Sequence, residues 1–126
     1  MNAKHTPTRR PWIDKFHYAF RGLWIAFTGQ NSFLAHIPIA LAVVAGGWYF
    51  GVSPAEWCAL SICIAMVFAA ELFNTGLEHL ARAVSLERRD ELRDALDTAA
   101  AAVLVTAIGS VAVGAAIFGP RLMELW

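Results

Sequence analysis

The stretch VFAAELFNTGLEHLAR, residues 67–82, decides how the rest of the chain is read. On a helix, Glu71, Asn74, Thr75 and Glu78 fall at spacings of three, four and seven and so share one face. The stretch begins inside an apolar run. A carboxylate there is costly, and within a membrane segment it marks a functional site by default. At the helical rise, Glu71 and Glu78 stand about 10 Å apart along the axis. That is too far to share a proton and suits two separate tasks, one on a substrate hydroxyl and one on a metal ion.

Composition supports the membrane setting. Of 126 residues, 58% are apolar and 16% charged, far from the balance of a soluble domain. The length allows one domain. Ten basic residues match ten acidic ones, so net charge identifies no partner, but their distribution is uneven. Lys4, Arg9, Arg10, Lys15 and Arg21 precede the first long apolar run; Arg82, Arg88, Arg89 and Arg93 follow the second; only Arg121 lies elsewhere. Such clustering is the pattern of a membrane protein that keeps its basic residues on the cytoplasmic side. The first twenty residues are too polar for a secretory signal. Insertion through the chain's own spans is therefore expected. Cys58 and Cys63, five apart, read as small apolar fillers, with no metal-ligand or disulfide spacing.

Working outward gives an all-α, integral membrane protein: three transmembrane helices plus an N-terminal amphipathic surface helix. Residues 1–11 read as a mobile cytoplasmic tail and 12–126 as the membrane domain. In residues 12–28, Trp12, Ile13, Phe16, Phe20, Leu23, Trp24 and Phe27 recur at steps of three and four among Lys15 and Arg21, as in a helix lying in the membrane interface. Residues 28–32 form a turn by composition. Spans are expected at about 33–52, 57–78 and 97–118, each long enough for a hydrocarbon core of roughly 30 Å. Between the first two, Ser53, Pro54 and Glu56 read as N-cap, first helical residue and capping-box partner. That loop carries no Lys or Arg and is placed outside. Residues 85–94 read as a solvated helix or loop, and Gly119-Pro120 as the stop of the last span. The N-terminus is then inside and the C-terminus outside, in a bacterial cytoplasmic membrane.

The chain has no phosphate-binding glycine loop and no soluble-kinase catalytic pattern. What remains is Glu71, Asn74, Glu78 and Asp97 at the cytoplasmic boundary. Glu71, the deepest, meets a lipid hydroxyl; Glu78, nearer water, suits Mg²⁺ and nucleotide. Two other readings stand beside this one. Glu71 and Asn74 could satisfy one another or the backbone across a bundle, or the carboxylates could relay ions or protons.

Together these residues resemble the small prokaryotic integral-membrane lipid kinases, diacylglycerol kinase and undecaprenol kinase. AELFNTGLEHL, residues 70–80, is similar to that family's Glu-x-x-Asn-Ser/Thr-x-Ile/Leu-Glu signature. FHYAFRGL (16–23) and ALDTAAAAVLVTAIG (95–109) extend the resemblance to about residues 12–118. It implies a homotrimer that transfers the γ-phosphoryl of MgATP to a membrane lipid hydroxyl, with the bilayer as partner and no nucleic acid. It assigns Glu71 as catalytic base and Glu78 as metal ligand. Tyr18, Gln30, Asn74, Glu87 and Asp97 go to the nucleotide side, and Ser32, Phe33 and His36 join Glu71 on the acceptor side.

Three positions depart from the family pattern. Gln30 stands where a second metal-binding Glu is usual, keeping a carbonyl oxygen without the charge. Leu96 replaces the Lys that precedes Asp97, and Leu34 replaces a basic residue just past the turn. His36 alone reads as a hydrogen-bonded interfacial histidine. Gln30 and Leu96 are the features that suit an alternative: a catalytically inactive relative acting as an assembly or lipid-binding subunit.

Overall fold

The computed structural model describes residues 11–84 and 89–126. The expected tail falls almost entirely outside them, as does Glu87. The described residues form four helices and no strand: α1 (Trp12–Gly29), α2 (Asn31–Phe50), α3 (Pro54–Val84) and α4 (Asp90–Met123). The last three are long and apolar enough to cross a membrane. α4 packs along α3 as its main neighbour, while α1 touches α2 and α3.

Local chemistry sets the boundaries. The five-residue turn expected at 28–32 contracts to Gln30 alone, which is extended (φ −128°, ψ 113°). Thr28 is still helical, its hydroxyl turned back along α1 to donate to the Trp24 carbonyl (2.8 Å). The amide of Gln30 closes onto Ala26 and its carbonyl accepts from Leu34, so one residue ends one helix and begins the next. At the other end of α2, Gly51 adopts the left-handed conformation (φ 61°). There the amides of Gly51 and Val52 both reach the Gly47 carbonyl, a closure that glycine permits without steric cost. The Ser53 amide then donates to Glu56 Oε1 (2.9 Å) and the Glu56 amide to Ser53 Oγ (3.2 Å), a complete capping box that starts α3.

α4 departs from the expected limits at both ends. It begins at Asp90, so much of the charged 85–94 segment is its first turn, where Asp90 and Glu91 oppose the positive end of the helix dipole. It also runs through Gly119-Pro120 to Met123. Pro120 lacks an amide hydrogen. The last turn is held by Arg121, whose Nη1 donates to the Ile117 carbonyl (2.6 Å) and whose guanidinium grips Glu56.

The apolar core of the described residues is small: Val52, Leu60 and Ile117, flanked by Val43, Phe50, Trp57, Val113 and Phe118, all toward the 51–53 turn. α2 approaches its neighbours there through Gly46 and Gly47. A Cβ on Gly47 would lie 2.5 Å from the Trp57 ring, and one on Gly46 would lie 3.3 Å from Phe118. Trp48, Tyr49, Phe73, Leu104, Val105 and Val111 face outward. Helices apolar on their outer surface fit a bilayer, where every backbone polar group is satisfied within the helix.

Candidate functional site

α3 turns one face inward along its C-terminal half. Val67, Glu71 and Thr75 are buried and Asn74 and Glu78 half-buried, while Phe73, Gly76, Leu77, His79 and Leu80 are exposed. This is the face expected from the spacing of residues 71–78. Glu71 is 3% exposed, so both carboxylate oxygens need partners. They come from α2. His36 Nε2 lies 3.0 Å from Oε1, and the Ser32 hydroxyl donates to Oε2 at 3.3 Å. Ser32 and His36 are four apart and share one face of α2. Phe68, one turn before Glu71, packs on the buried Phe33 (ring centroids 5.1 Å) and takes the edge of His36 (6.4 Å, 77°).

Glu71 and Asn74 therefore do not satisfy one another. Asn74 Nδ2 donates to Glu78 Oε1 (3.1 Å), one turn toward the water-facing end. Arg82 stands 3.8 Å from the other Glu78 oxygen, a loose exposed pair that contributes at most about 0.5 kcal/mol. The two carboxylates of α3 have separate surroundings: Glu71 sits among aromatic rings and α2 donors, Glu78 beside an amide and a cation.

Two hollows adjoin these groups. An apolar one of about 240 Å³ lies between α2, α3 and α4 and has His36 on its wall, with Val43, Ile64, Phe68, Ala107 and Gly114. An open groove of about 620 Å³ between α3 and α4 has Asn74, Asp94 and Thr98 as its polar groups. Asp94 faces this groove and was not singled out from sequence; Asp97 is exposed on α4 and is not among the groove's lining residues. Gln30 is half-buried at the joint between α1 and α2. Tyr18 lies on α1 with its ring edge-on to His17 (5.9 Å). Among the described residues no three His, Cys, Asp or Glu side chains converge as a metal cluster. Hard oxygen donors are nevertheless present at Glu78 and Asn74, and Mg²⁺ commonly takes one or two carboxylates and completes its shell from phosphates and water.

Sequence spacing along α3 found Glu71, Asn74 and Glu78; the resemblance put Ser32, Phe33 and His36 on the same side as Glu71, but the direct His36–Glu71 contact was not read from the residues. A signal existed. α2 and α3 form an antiparallel hairpin about residues 51–53, so residues at similar distances from that turn lie at similar depth. His36 is 15 residues before Gly51 and Glu71 is 18 after Ser53.

The sequence model of the prokaryotic diacylglycerol kinase family matches residues 17–118. The undecaprenol kinase of Bacillus subtilis (strain 168) is 34% identical over 123 residues, covering 97% of this chain and the whole of that protein. The diacylglycerol kinase of Synechocystis sp. is 32% identical over 114 residues, covering 90% of this chain and 65% of that protein's length. The match spans α1 to α4 and includes the α3 face that carries Glu71 and Glu78. The chain belongs to the prokaryotic diacylglycerol kinase family and is a membrane lipid kinase.

Proposed function

We propose that this kinase transfers the γ-phosphoryl of MgATP to the hydroxyl of a membrane lipid, with Glu71 as general base. The observation that carries the reading is Glu71 itself: a buried carboxylate in a helix long and apolar enough to cross a membrane, held by the Ser32 hydroxyl and the His36 ring of a second helix. Glu71 takes the proton of the acceptor hydroxyl. The oxygen attacks the γ-phosphorus, the bond from that phosphorus to the β–γ bridging oxygen breaks, and ADP leaves with the electron pair. Ser32, Phe33 and His36 line the acceptor side.

Glu78, supported by Asn74, holds the metal, with Gln30 contributing at most a carbonyl oxygen. Mg²⁺ bound there supplies charge neutralisation for the nucleotide phosphates. Tyr18, Glu87 and Asp97 belong to the nucleotide side. The functional unit is a homotrimer; the small residues Ala99–Ala102, Gly109 and Gly114 support close helix approach in lipid. The N-terminus is cytoplasmic and the C-terminus outside, supported by Lys15, Arg21, Arg82, Arg89 and Arg93 at one end and by the absence of Lys or Arg from residues 51–56.

The acceptor is diacylglycerol or undecaprenol, the two lipids in the names of the relatives. Purified protein in mixed micelles with γ-labelled ATP, offered each lipid in turn, tests this. Label is expected in phosphatidic acid or undecaprenyl phosphate. No labelled product from either would end the reading and favour a non-catalytic relative.

A further inference from the structure

We propose that His36 is a positioning residue for the phosphoryl-transfer step: its Nε2–H holds Oε1 of Glu71, leaving Oε2 as the atom that takes the acceptor's proton. The inference rests on Glu71 being the base.

An ionised carboxylate only accepts hydrogen bonds, so the ring nitrogen 3.0 Å from Oε1 must carry the hydrogen. That distance is at the mode for N–H···O, whereas the Ser32 contact to Oε2, at 3.3 Å, is well beyond the usual 2.7–2.8 Å for O–H···O. The two oxygens of Glu71 are therefore unequal. Oε1 is committed, and Oε2 carries only a long contact that an incoming alcohol can replace in kind.

The geometry also survives the chemistry. When Oε2 gains the acceptor's proton, Oε1 becomes the carbonyl oxygen of a carboxylic acid and still accepts from His36. The bond persists through the step, so the carboxyl group need not reorient. Without it, the carboxylate can turn about its last torsion, which is broad and two-fold for glutamate. His36 is itself held. Its side chain is 22% exposed, its ring edge meets Phe68, and it forms part of the wall of the apolar hollow between α2, α3 and α4.

The test compares His36→Phe, which keeps a ring and removes the donor, with His36→Gln, whose amide N–H can reach Oε1. Both are assayed in mixed micelles beside wild type and Glu71→Gln. His36→Phe should lower kcat about 10- to 100-fold, the scale of misplacing a catalytic group by an ångström, with KM for ATP unchanged. His36→Gln should recover most of kcat. Wild-type kcat in His36→Phe, or a His36→Gln enzyme as impaired as His36→Phe, would overturn the proposal. Should His36→Phe not fold, His36→Asn replaces it: the same amide one methylene short, expected to lose kcat where Gln keeps it, with equal rates overturning the proposal. An inactive Glu71→Gln beside a fully active His36→Phe removes this inference alone, whereas an active Glu71→Gln removes the base beneath it.

Discussion

The guanidinium of Arg121 grips Glu56 with both terminal nitrogens at 2.8 Å, tying the last turn of α4 to the first turn of α3 across 65 positions of sequence. Both residues lie at the loop end of their helices, outside the apolar runs. Arg121 and the Ser53 amide hold the Glu56 carboxyl down from its ordinary 4.5 to about 2. The folded value lies below the unfolded one. The pair's contribution to stability is therefore complete above about pH 4.5 and drains away as pH falls toward 2. Thermal melting in detergent should show Tm falling across that window in wild type. Glu56→Gln should flatten that part of the profile, and an unchanged slope would remove the clamp as its source.

Removing the charge at Glu71 tests the chemistry directly. Glu71→Gln keeps shape and an acceptor oxygen but cannot take a proton. Turnover should drop about 10²- to 10⁴-fold, the usual worth of general base catalysis. The proposed trimer should survive, as read by elution volume and melting. Near-normal turnover would mean another group takes the proton.

Metal dependence should respond at two positions in opposite directions. Glu78→Ala should raise the Mg²⁺ concentration for half-maximal rate by tenfold or more, since the charged ligand of the proposed site is gone, on the order of 1.4 kcal/mol. Gln30→Glu should lower it by restoring a second carboxylate. Mg²⁺ titrations of initial rate decide both, and identical curves for wild type and Glu78→Ala would take the metal away from Glu78.

Gly47 is expected to tolerate no side chain. The Cβ of alanine would meet Trp57 at 2.5 Å, so the α2–α3 hairpin must open or the indole must move. Overpacking of this kind costs about 1–3 kcal/mol, more than the ~0.5–1 kcal/mol that alanine gains over glycine inside a helix. Gly47→Ala should therefore melt earlier than wild type. A variant that melts later would mean the indole relocates freely.

What was legible in the sequence was what is local. Apolar runs gave the three long helices, and the Ser53–Glu56 capping box was readable because its partners are three residues apart. The inward face of α3 followed from helical spacing. Features that depend on a second helix were not legible. Pro120 looks like a stop until Arg121 is seen braced on Glu56. One local feature was also hidden by composition: residues 28–32 look like a full turn, yet α1 runs to Gly29 and only Gln30 is extended. His36 alone is one histidine in an apolar run, and its meaning comes only from Glu71, 35 residues away. Asp94 looked like one charge among many; in the structure it faces the same groove as Asn74.

The single extended residue at Gln30 has a mechanical consequence. With one φ and one ψ between two rigid rods, there is no slack to absorb a tilt of α1. Ser32 and His36 sit in the first two turns beyond that joint, so whatever sets the angle of the aromatic-rich helix also sets where the two donors meet Glu71. The angle between α1 and α2 and the meeting of Ser32 and His36 with the buried Glu71 are thus governed by the same pair of torsions.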